Sequence, residues 1–189
     1  MGIPRLLCAL PLLAACGGDM SGLTGVYDIN SWTDNPTACD VEGPASGNTE
    51  TALYVKEENF IGTKFLNVNA CTDVAECETL AADDDTINIG NWGFTDGNDD
   101  DGWVDSNAYA FTNFDDPTKC DATGSETIMT SPAEGMLRIE RRTTHSAEPY
   151  PATGPNDDPC PDAGAEAAVQ GQPCDSLEVV TATFNEPLP

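Results

Sequence analysis

Apolar residues recur at alternate positions along most of this chain, the period of two expected of half-buried β-strands. In residues 23–32, Leu23, Gly25, Tyr27, Ile29 and Ser31 alternate with Thr24, Val26, Asp28 and Asn30. Asp34-Asn35-Pro36 then breaks the pattern. Residues 51–56 form a second strand with Leu53 and Val55 on one face, and Glu57-Glu58-Asn59 reads as a turn. Residues 60–68 are apolar on both faces, which predicts a central strand. Residues 71–77 and the acidic Asp83-Asp84-Asp85 connect onward, with room for one helical turn at 74–80.

Residues 86–95 and 103–114 read as the arms of a hairpin. Trp92 and Phe94 share a face of the first arm; Trp103, Tyr109 and Phe111 share one of the second. Between them, residues 96–102 are all turn formers. Residues 126–130 make a short strand. In the strand at 135–145, Leu137 and Ile139 face one way, with Arg138, Glu140 and Arg142 opposite. Residues 146–174 hold six prolines and read as a long irregular loop, before a last strand at 177–184. About eight strands with hairpin-like connections predict an all-β, antiparallel domain over residues 23–189. An up-and-down barrel is favoured over a two-sheet sandwich. The opening Gly25-Val26-Tyr27 is similar to the Gly-x-Trp start of lipocalins, which implies such a barrel.

The start of the chain has a different pattern. Arg5 precedes an apolar run from Leu6 to Leu13, too short to span a bilayer and of the length of a signal core. Leu13-Ala14-Ala15-Cys16 resembles the lipobox of bacterial lipoproteins. The resemblance implies a signal peptide at 1–15, lipidation of Cys16 and a flexible tether at 16–22. Two or more acyl chains would give stable membrane anchoring. Gly17 stands where such proteins carry an Asp for inner-membrane retention, so outer-membrane delivery is expected, facing the periplasm or the surface.

Charge and cysteine narrow the function. The formal net charge is −26; removing residues 1–15, whose one charge is Arg5, makes it −27. Such a chain lacks the cations that replace phosphate counterions, so nucleic acid is excluded as a partner. Of eight cysteines, Cys8 leaves with the signal and Cys16 takes lipid. The remaining six, Cys39, Cys71, Cys77, Cys120, Cys160 and Cys174, predict three disulfides in an exported chain. Ease of closing short loops favours Cys71–Cys77 and Cys160–Cys174, leaving Cys39–Cys120.

The acidic turn is the candidate metal site. Asp99, Asp101 and Asp105 stand in a D-x-D-G-x-x-D pattern that resembles EF-hand and thrombospondin type 3 calcium loops, with Asp96 or Asn98 as further oxygens. Arg141 and His145 fall on the Leu137/Ile139 face, where they line a pocket for an anion or pair with carboxylates. No nucleophile, zinc-protease or phosphate-loop motif is present, so an enzyme is not expected. The expected function is an envelope-anchored binding or structural surface module. The alternatives are a lipocalin-like carrier of a small apolar ligand, or a calcium-dependent glycan or adhesion module whose Trp32, Trp92 and Trp103 stack sugars.

Overall fold

The structure is a computed structural model and describes residues 21–60, 62–83, 91–155 and 158–188. The signal segment, Cys16 and residues 84–90 lie outside that range. The elements in order are β1 (Gly25–Asn35), β2 (Ala52–Phe60), β3 (Thr63–Cys71), α1 (Val74–Ala82), β4 (Trp92–Phe94), β5 (Asp96–Asn98), β6 (Gly102–Thr112), β7 (Lys119–Thr130), β8 (Met136–His145), β9 (Tyr150–Pro151), α2 (Asp162–Val169) and β10 (Ser176–Glu186). Among the described residues no helix is long and apolar enough to cross a membrane.

The strands form one antiparallel sheet in the order β4-β3-β2-β1-β10-β8-β7-β6-β5, with β9 added beside β7. Its two end strands, β4 and β5, are separated in the chain by Thr95 alone. Counted as one bent strand, they complete a ring of eight. The protein is an up-and-down β-barrel, closed but for that bend. The expected hairpin is therefore corrected. Only β5 pairs with β6, while Trp92 and Phe94 turn away to pair with Val68 and Leu66 of β3. Gly97 sits where β5 meets β6, at φ +125°, and a Cβ there would lie 2.3 Å from the Gly102 carbonyl oxygen. Only glycine allows that approach.

The apolar faces meet inside the ring. Tyr27, Leu53, Val55, Leu66, Val68, Trp92, Phe94, Trp103, Met129, Leu137, Ile139, Val180 and Ala182 form one buried cluster with members from every wall of the barrel. A second, smaller cluster lies outside the ring, where Cys77 and Ala81 of α1 cover Val26, Ala52 and Tyr54. Glu57, Glu58 and Asn59 do not form a turn; β2 runs through them, paired to Leu66, Phe65 and Lys64. The segment 146–174 is less irregular than expected, since it holds β9 and α2. Helix α2 lies on the outer face of β6 and β7, over Gly124, where a Cβ would stand 3.0 Å from Val169 Cγ2.

Three disulfides join the six cysteines, as Cys39–Cys174, Cys71–Cys77 and Cys120–Cys160. The expected Cys160–Cys174 and Cys39–Cys120 pairs are overturned by topology. Two strands, β10 and β8, stand between β1 and β7, which keeps Cys39 away from Cys120. Cys39 lies instead beside the start of β10, its Sγ 3.1 Å from the Ser176 carbonyl oxygen. The barrel brings together cysteines far apart in sequence, and loop length carries no information about that. Non-reducing peptide mapping should recover these three pairs and no Cys160–Cys174 peptide. Replacing Cys120 and Cys160 together by serine should cost about 2–5 kcal/mol of unfolding free energy in a urea titration.

Candidate functional site

The barrel has two unlike ends. One carries the β5–β6 and β7–β8 turns and the start of the described chain; the apolar cluster rises from it. At the other end β6, β7, β8 and β10 run on past the core, and the register fixes what their inner face presents. Trp103, Met129, Ile139 and Val180 form an apolar row. Two residues further along, Asp105, Thr127, Arg141 and Glu178 form a polar one. Asn107, Ser125, Thr143 and Ser176 come next, then Tyr109, Thr123 and His145. The inner wall thus grades from a closed core to an open groove of about 490 Å³, lined by Asn107, Tyr109, Thr123, Ser125, Arg141 and Thr143 and closed at its edge by Ala108 and by Asp162 at the start of α2.

The groove floor is held by charge. Arg141 Nη2 lies 2.8 Å from Glu178 Oε2, an ion pair without a directed hydrogen bond, and Trp32 Nε1 donates to Glu178 Oε1 at 2.8 Å. Ser125 Oγ donates to Asn107 Oδ1 at 2.8 Å, which ties the walls of β6 and β7. At the rim Tyr109 is 52 % exposed and Phe114 94 %, and Phe111 lies between them with ring centroids 6.4 and 6.3 Å away. Deeper in the core, the Trp92 indole N–H is buried without an acceptor, beside the Trp32 ring at 5.6 Å.

Arg141 thus lines the groove and is also paired with a carboxylate. His145 is bound at the edge, its Nδ1 2.9 Å from Asp175 Oδ2, an oxygen that also accepts the His145 backbone N–H at 2.7 Å. These contacts hold the Asp175 carboxyl below its ordinary range. Of the three tryptophans proposed to stack sugars, Trp92 and Trp103 are buried in the core and Trp32 packs half-buried against it. Asn107, Thr123, Ser125 and Thr143 were not foreseen as site residues. The segment 119–125 reads as polar and gave no strand signal, so its alternation could not be placed on a face.

The acidic turn has a different use. Asp99 Oδ1 accepts from Ser21 Oγ at 2.6 Å and from Trp103 Nε1 at 2.9 Å; its Oδ2 accepts from the Gly22 amide at 2.6 Å. Burial alone would raise its pKa, and these three hydrogen bonds outweigh that and lower it. Asp101 accepts from Asn98 Nδ2, and Asn98 Oδ1 takes the Asp100 and Asp101 amides. Asp96 lies earlier in β5, opposite Val104. Asp105 lies further along β6, where burial raises its pKa. Asp99, Asp101 and Asp105 are thus not brought together, and no group of three acidic, histidine or cysteine side chains among the described residues is gathered as for a metal. No family model, curated protein or solved structure matches the chain.

Opposite pH signatures follow for the two aspartates. Asp99 has a lowered pKa, so its stabilisation is present above the ordinary aspartate range and is lost as pH falls through its folded pKa. Asp99→Asn should cost about 1–2 kcal/mol at neutral pH, and the deficit should shrink in acid. Asp105 has a raised pKa, so the favoured protonated form is lost as pH rises. Asp105→Asn should raise the melting midpoint at neutral pH and leave it unchanged below the ordinary aspartate range. A loss of stability at neutral pH would instead mean that Asp105 faces a cation.

Proposed function

We propose that this chain is a lipid-anchored binding module of the bacterial envelope that acts through its outward end and not through an interior cavity. The observation that carries this reading is the place where the chain enters the barrel. Ser21 and Gly22 are hydrogen-bonded to Asp99, in the turn that begins β6. The groove and its aromatic rim lie at the other end of β6. From Gly102 to Thr112 that strand covers roughly 30 Å. Four residues, and so five Cα-to-Cα steps, separate Cys16 from Ser21, a reach of at most about 18 Å. A lipid on Cys16 therefore favours a barrel standing on its turn end, with the groove away from the membrane. Gly17 favours outer-membrane delivery.

The packed cluster drawn from all walls of the barrel speaks against an apolar ligand held inside, as a lipocalin-like carrier would need. The separate uses of Asp99, Asp101 and Asp105 leave calcium without a role in this reading. No catalysis is assigned, because His145 is engaged with Asp175 and the six cysteines of the barrel are in disulfides. Nucleic acid is disfavoured as a partner by the net charge of −26.

Cys16→Ser should move the protein from the membrane fraction to the soluble envelope fraction and abolish labelling by a fatty-acid analogue. Unchanged fractionation would overturn the anchor. With the lipidated protein in vesicles, a dye on Ala133→Cys, in the β7–β8 turn, should transfer energy to a membrane acceptor more efficiently than one on Phe114→Cys. The reverse order would overturn the orientation.

A further inference from the structure

We propose that the groove at the outward end takes a neutral saccharide, either a single uncharged sugar or a short stretch of glycan. This rests on reading the chain as an exterior binding module, and it names the class of ligand.

Three observations converge on that class. The first is the chemistry of the walls. Asn107, Ser125 and Thr143 face inward in one row and Thr123 in the next, so the groove offers short, uncharged groups that both donate and accept. Adjacent hydroxyls on a sugar ring ask for such alternation of donor and acceptor. The second is the rim. Tyr109 stands half-exposed at the edge of this polar surface, with Phe111 and Phe114 following it outward. A flat aromatic face beside hydroxyls and an amide matches a ring that has an apolar C–H face and a polar edge.

The third observation is charge. Six of the seven basic residues lie in the described region, and each has an oxygen partner. Arg141 pairs with Glu178; Arg138 with Glu42 and Glu140; Arg142 with Glu140. Lys64 pairs with Glu57, Lys119 with Asp116, and Lys56 Nζ donates to the Ala81 carbonyl. The cation at the groove is thus already matched, and the surface around it is strongly acidic. An anionic ligand would have to displace Glu178 from Arg141 and strand a carboxylate that is mostly out of water. Asp162 at the groove's edge is the one carboxylate in its lining, and a cationic ligand that paired with it would lie in the same groove as the Arg141 guanidinium. A neutral ligand meets neither cost. The groove, at about 490 Å³, falls within the usual range for small-molecule sites.

The test uses the full lipidated chain in detergent micelles, so that it does not depend on membrane placement. Maltohexaose, cellohexaose, chitohexaose and mannan serve as neutral probes, with heparin as a polyanion and oligolysine as a polycation. Saturable binding is followed by isothermal titration. At least one neutral probe should bind with a millimolar or tighter dissociation constant. Tyr109→Ala and Thr143→Val should each weaken that binding by about tenfold without moving the melting midpoint. Ala133→Ser, at the far end, should leave it unchanged. Absence of binding to all four neutral probes would overturn the proposal. So would binding indifferent to Tyr109 and Thr143, or binding of oligolysine alone. The anchor stands or falls separately. A chain that binds glycan but is not released by Cys16→Ser loses the anchor and keeps the groove; a released chain that binds nothing keeps the anchor and loses the groove.

Discussion

The pairing of the first long strand with the last is the contact on which this fold depends. From Val26 opposite Glu186 to Asn35 opposite Leu177, β1 and β10 are paired, with register shifts between Val26 and Tyr27 and between Ile29 and Ser31. Without that pairing the sheet would have two long unpaired edges, each a template for association. With it the sheet has an inside, and each strand acquires one face that must be apolar. The contact is also the most non-local in the molecule, joining segments about 150 residues apart. Almost the full loop-closure entropy of the chain is therefore lost before it contributes anything.

Two different devices hold the two ends. At the turn end, packed apolar side chains supply stability, and Tyr27 is sunk deeply enough that burial, with the nearby Asp99 carboxylate, pushes its pKa up to about 12. At the groove end the inner face is polar, so burial cannot hold it shut. Two of the three disulfides lie there. Cys120–Cys160 ties the start of β7 to the segment entering α2, and Cys39–Cys174 ties the loop after β1 to the start of β10. A cross-link restricts the chain without filling the space it spans. It can therefore keep strands in place around an open groove, where an apolar core would close it.

The barrel was legible in sequence because period-two alternation survives in β8, where one face is buried, and because β2 and β10 carry enough apolar residues to read as strands although both of their faces are covered. It failed wherever something other than burial set the facing. In β1 the expected alternation places Ser31 with Tyr27 and Ile29, but the register shifts between Ile29 and Ser31, so Trp32 turns to the core instead. In β7 the stretch Ala122 to Ser125 is too small and polar to look like a strand. It is one because β6 and β8 flank it, and its small residues are what let α2 approach. Helix α2 was hidden among prolines. Pro161 stands just before its first residue, Asp162, where a missing N–H costs nothing, and the alanines behind it are strong helix formers. The groove residues were hidden for the same reason as β7, since a polar inner face has no hydrophobic signature and appears only once register is known.

The acidity of the chain can be set against this geometry. The six described cations are all matched, so the excess carboxylates lie on a surface with nothing to neutralise them. For a barrel tethered to a bilayer at its turn end, this excess is a directional force. Anionic headgroups repel an acidic body within about a Debye length, roughly 8 Å at physiological salt. A lipid tether, as proposed, would limit how far the barrel can retreat, and its attachment beside Asp99 would decide which end stays closest. Repulsion and tether together then favour the upright arrangement over one lying flat. On the proposed anchoring at Cys16, the hydrogen bonds from Ser21 and Gly22 to Asp99 would then also set where the groove points.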